Sequence, residues 1–210
     1  MIMFNNLSIS DIAAVLLIIL LSMGLHEAVH AFVSHWLGDT TAKDEGRLTI
    51  NPLKHVDLYT TILLPMLMIL IHVPPIFVAK PVPFNPGMVR YGDYGVALIG
   101  ISGPMTNLFL AIIGSVIYKI VGIGSISIAN YLTLFVDINI LFFIFNMIPI
   151  PPLDGSRLLY AFAPESLQRL MMKIEGFGFI SILIVFVLVI QFLWPVISYL
   201  EITLNNLLLG

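Results

Sequence analysis

Two histidines and a glutamate stand in the order His26-Glu27-x-x-His30. Positions four apart on an α-helix share one face, about a turn from each other. Both imidazoles can therefore hold one metal ion. Glu27, beside the first histidine, can reach a water on the metal without ligating the metal itself. That is the chemistry of an HExxH pattern: two zinc ligands and a general base for hydrolysis. Two histidines that merely pack, or a chance match, are the plain alternative. The setting argues against it. The motif follows the run DIAAVLLIIL, and imidazoles and a carboxylate at membrane depth are costly unless they face a cavity or one another.

A catalytic zinc needs a third protein ligand and an open fourth position. His35 lies five residues beyond His30, about 140° round the helix, and points elsewhere. His55 sits in the loop NPLKHVD, and His72 ends an apolar segment. Asp154 sits in NMIPIPPLDGSRLL, where Pro149, Pro151 and Pro152 prevent a regular helix and Gly155 allows an unusual backbone. A broken segment at membrane depth is tolerated only where it is buried in protein or lines a watery cavity. A carboxylate offered from it suits a metal site. Asp137, inside an apolar segment, is the alternative ligand. Its plain reading is an acid hydrogen-bonded near Asn139.

These residues need a frame that carries them into a membrane. The chain has 210 residues, 59% hydrophobic and 10% charged, with a mean hydropathy of +1.05. Soluble domains carry about a quarter charged residues, so an integral membrane protein is expected. The net charge of −3 and the lack of a basic tract give no support for nucleic-acid binding. The absence of cysteine excludes disulfides and thiolate metal sites. No cleavable signal peptide is evident.

Apolar segments fall at 11–37, 58–73, 94–118, 131–149 and 177–203. Four are long enough to cross a bilayer, which takes roughly 20 residues. The segment 58–73 is marginal and carries Pro65. If it does not cross, eight of the nine Lys and Arg residues share one side and only Lys119 lies opposite. The positive-inside rule prefers that arrangement. The expected fold is thus an all-α polytopic membrane protein of four to five transmembrane helices, with a re-entrant or short membrane segment at 58–73. Both termini are expected outside, the long loops cytoplasmic, and the active site towards the cytoplasmic side of a plasma membrane. β-Branched residues on both sides of Asp44-Glu45-Gly46 predict a small β-hairpin over 40–50. Its edge would offer partners to an unwound substrate. No internal repeat appears, and 1–210 reads as a single domain.

The motifs LHEAVHA and NMIPIPPLDG together resemble the site-2 protease family of intramembrane zinc metalloproteases. GRLTINPLKHVD, AKPVPFNP and SGPMTNLFLA extend the resemblance to the compact prokaryotic branch, which lacks PDZ and CBS domains. The similarity covers about residues 20–160. Ser156 departs from the second glycine that the family often has after the aspartate and first glycine. The resemblance implies that His26, His30 and Asp154 bind one Zn2+ per chain and that Glu27 is the catalytic base. It implies cleavage of a transmembrane protein or peptide substrate within the lipid bilayer. Asn107, in a Gly-x-x-x-Asn element, is a candidate oxyanion donor, or else a polar bridge between packed helices. Asn146 either orients substrate or Asp154, or caps backbone groups freed by the prolines. A membrane metal transporter, or a non-catalytic zinc-binding membrane protein, is the rival reading. Glu27 discriminates, because transport needs no base beside the first histidine. The sequence leaves the oligomeric state open.

Overall fold

The computed structural model describes residues 9–63, 65, 79–121 and 124–210. Helix α1, Ile9–Trp36, has 28 residues. At 1.5 Å per residue this spans about 42 Å, more than the hydrocarbon core needs. Four stretches are long and apolar enough to cross a membrane: Ser10–Trp36, Asp93–Val121, Ile126–Asn146 and Gln191–Leu209. They fall in four of the five expected apolar segments. Of the segment 58–73, the π-helical turn Leu58–Leu63 and Pro65 are described. The remainder, His72 included, lies outside the described residues.

The helix α3, Asp93–Val121, is the central one. Its buried residues Val96, Gly100, Gly103, Asn107, Ala111 and Gly114 recur every three or four positions, the period of one helix face. Small residues dominate that face, which lets neighbouring helices approach closely. It packs against α1, against α4 (Ile126–Asn146) and against α5 (Gly155–Phe162). α4 ends at Asn146, three residues before Pro149, as a proline-rich stretch requires. An amphipathic helix α6, Glu165–Glu175, follows α5. The last apolar segment is α7, Phe179–Leu188, then a π-helical turn at Val189–Leu193 and α8, Trp194–Leu209. Pro195 has no N–H for the preceding turn and its ring crowds that turn's carbonyl, and the widened turn sits there. Ala111, Val136, Ile140, Ile144, Val185 and Ile197 form the main core between these helices.

The hairpin expected over 40–50 does not form: there is no strand among the described residues. In its place stands the short helix α2, Thr41–Asp44. Asp39 starts it, because its Oδ1 accepts from both the N–H and the hydroxyl of Thr41. Gly46 stops it at φ 66°. The Gly46 N–H donates to Lys43 O and the Arg47 N–H to Ala42 O, a Schellman ending. Local side-chain capping and a left-handed glycine won over β-branched propensity.

Candidate metal centre

His26 and His30 lie on the same face of α1 and are only 6% and 7% exposed. Asp154 comes from the broken segment between α4 and α5. Its side chain is 25% exposed, so the group opens to one side through the carboxylate. His26 Nε2 is 2.9 Å from Asp154 Oδ2, His30 Nε2 is 3.3 Å from it, and the two Nε2 atoms are 3.1 Å apart. Ligand atoms about 2.0–2.1 Å from a tetrahedral zinc lie about 3.3 Å from one another. Three donors of the right chemistry thus converge at the right spacing. Among the described residues this is the one His, Cys, Asp and Glu group able to hold a metal.

The space between the three donors depends on Gly103. A Cβ there would overlap the Nε2 atoms of His30 and His26. At this turn the Ile99 carbonyl accepts from His30 Nδ1 at 2.7 Å. A carbonyl can only accept, so His30 carries its proton on Nδ1 and presents the Nε2 lone pair to the centre. Asn107 serves His26 in the same way: its Oδ1 lies 2.6 Å from His26 Nδ1. Its Nδ2 turns to Asn139 Oδ1 at 3.0 Å. The amide is thus engaged on both sides, as a partner of His26 and a bridge between helices, and its NH2 group is not directed at the ligand atoms.

Glu27 points from α1 towards an extended segment at 79–85, and its Oε2 accepts the Val82 N–H at 2.9 Å. Bonds on either side fix that segment. Lys80 N–H donates to His55 O, Lys80 O accepts from Arg47, and Asn85 N–H donates to Asp39 Oδ2. Beyond it opens a cleft of about 490 Å³, lined by Pro81, Val82, Phe84, Arg157, Tyr160 and Glu175 among others. Arg157 pairs with Glu175 through both nitrogens of its fork and lies over the Phe84 ring. It thereby joins the end of the Asp154 segment to the loop that touches Glu27.

The other candidates fall elsewhere. Asn146 donates to Phe142 O of its own helix. Asp137 takes a hydrogen bond from Asn205 of α8. His55 is buried in the loops, where its Nε2 donates to Thr49 O and its Nδ1 faces Arg47. The partners that sequence reasoning missed are the Ile99 carbonyl, the Val82 amide and the Asn139 side chain. The first two are backbone groups and leave no residue signature.

The description "Peptidase family M50" matches residues 119–190, a stretch that holds Asp154. The Bacillus subtilis (strain 168) protein named "Putative zinc metalloprotease YwhC" is 33% identical over 190 residues, covering 86% of this chain and 84% of that one. "Putative zinc metalloprotease Rip2" of Mycolicibacterium smegmatis is 25% identical over 180 residues, 80% of this chain and 64% of its own. No solved structure matches. With such identity across most of both chains, and with four apolar helices around a His-His-Asp group, the protein belongs to peptidase family M50, the site-2 protease family of zinc metalloproteases.

Proposed function

We propose that this chain is an intramembrane endopeptidase that cuts peptide bonds in or near transmembrane segments of membrane proteins. The observation that carries the reading is the convergence of His26, His30 and Asp154 beside Glu27, on a helix apolar enough to span a bilayer. His26 Nε2, His30 Nε2 and Asp154 Oδ2 would hold one zinc ion per chain. When bound, zinc supplies Lewis acidity, lowering the pKa of a water in the open position to about 7 and polarising the scissile carbonyl. Glu27 takes the proton of the attacking water. It returns that proton to the nitrogen as the carbon–nitrogen bond breaks. Ile99 and Asn107 hold the two imidazoles in the ligating tautomer. The loop at 79–85 keeps the Glu27 carboxylate next to His26, and the approaching peptide exchanges with the Val82 amide there.

Charge placement supports an orientation. The segments outside the four spans at 37–92 and 147–178 contain eight of the nine basic residues, and Lys119 sits in the last turn of α3. Both segments then face the cytoplasm of a plasma-membrane protein. The partly exposed Asp154 faces the same side, where water reaches the site. The whole chain, 1–210, acts as one membrane domain.

The test is Glu27→Gln in purified protein in detergent. It should keep zinc and lose cleavage of a membrane-protein substrate by at least about a thousandfold. Equal cleavage in mutant and parent would sink the protease reading, and zinc uptake into proteoliposomes would instead favour a transporter.

A further inference from the structure

His30 and His26 reach the same tautomer by different routes. His30 meets a backbone carbonyl directly. His26 meets a side-chain amide, and an amide has two ends. Rotated by half a turn, Asn107 would present NH2 to His26 Nδ1, donor against donor, and the Nε2 lone pair would be lost to the centre. Something must fix which end faces the histidine.

Asn139 supplies the direction. It is fully buried on α4 and its Nδ2 donates to Phe135 O at 2.8 Å and to Ser22 Oγ at 3.0 Å. The Phe135 carbonyl can only accept, so the NH2 end of Asn139 must face it. Asn139 Oδ1 then faces Asn107, which must answer with its own NH2. That leaves Asn107 Oδ1 for His26 Nδ1. Each bond follows from the one before, and the chain crosses three helices: α4, α3 and α1. Among buried polar groups such a network is stabilising only when every member is satisfied.

We infer that Asn139 is a positioning residue for the metal centre: anchored on the Phe135 carbonyl, it orients the Asn107 amide and through it the His26 tautomer. The inference rests on His26 being a zinc ligand. Outer partners of ligating histidines are worth about ten- to a hundredfold in metal affinity.

Zinc affinity, read by competition with a chromogenic chelator in detergent, tests the relay without recourse to activity. Asn139→Leu keeps the branched outline but removes both polar ends, and should weaken zinc ten- to a hundredfold. Asn139→Asp, protonated in so buried a place, can still donate to Phe135 O and accept from Asn107, and should stay within about threefold of the parent. Asn107→Asp removes the ambiguous amide: beside the ligating His26 imidazole a carboxylate, unlike one at 139, keeps its charge, and both its oxygens accept. Added to Asn139→Leu, it should restore most of the lost affinity. A melting curve of each metal-free variant reports folding. Parent-like affinity in a folded Asn139→Leu would overturn the relay, as would a loss in folded Asn139→Asp equal to that in Asn139→Leu. Failure of the parent itself to bind zinc would overturn the metal centre, and the relay with it.

Discussion

Among the described residues histidines are buried in two places, and the two places treat them in opposite ways. At the candidate metal centre His26 and His30 each give one nitrogen to a protein acceptor and turn the other towards a second imidazole and a carboxylate. In the loops outside the spans His55 has both nitrogens answered: Thr49 O accepts from Nε2, and Arg47 faces Nδ1. His55 is buried even more deeply, at 2% exposed. Burial therefore does not mark out a candidate ligand. What does is a set of convergent lone pairs left without protons to receive.

The sharpest way to break this contrast is Asp154→Ala. It leaves two imidazole nitrogens 3.1 Å apart with no carboxylate. Zinc should drop below one per chain after dialysis, and cleavage should fall by at least about a thousandfold. A fully loaded and active variant would return the third-ligand role to another residue. Gly103→Ala comes next. A methyl group there would press on both Nε2 atoms, so the imidazoles must turn out of the ligating geometry. Zinc affinity should fall about a hundredfold while the helix gains up to ~1 kcal/mol of propensity. A melting temperature that holds as zinc is lost would separate the ligand space from the fold.

The two regions also differ in how far the sequence discloses them. The helix face carrying His26 and His30 is legible because the period of the helix fixes it, and the spans are legible because bilayer thickness sets their length. Asp154 is legible from the prolines that force the chain off the helix beside it. The loop region is not. Thr40, Thr41 and Thr49 suggest strands, yet Asp39 and Gly46 impose a capped helical turn over them. Nor does sequence tell that the NH2 of Asn107 faces Asn139, since the contact joins positions 32 apart on separate helices. The Val82 amide at Glu27 is beyond composition and spacing altogether, being backbone.

His55→Ala should sharpen the contrast from the other side. It removes the acceptor facing the Arg47 guanidinium, whose Nε and Nη1 already lack partners among the described residues. Stability should fall by about 2 kcal/mol, several degrees in melting temperature. Zinc content should not change. A loss of zinc equal to that in Asp154→Ala would erase the distinction drawn between the two sites.

The smallest expected effect lies at Asp39, which fastens the loop region to the end of α1. Burial pushes its carboxyl up. The hydroxyl and N–H of Thr41, the Asn85 N–H and the Ser34 hydroxyl outweigh burial and hold it below the ordinary range. An acid whose folded value is depressed stabilises fully above its unfolded value, about 3.9. That contribution fades as pH falls through the folded value. The melting temperature of the parent should therefore exceed that of Asp39→Asn by a constant margin from pH 7 to about pH 5, and the margin should close below about pH 4. The metal centre would lose zinc over an acid range of its own, so the comparison is made on zinc-free protein. A margin that persists unchanged to pH 2 would mean that the carboxylate charge does not fasten Asn85 and α2, and that shape alone holds the loop region in place.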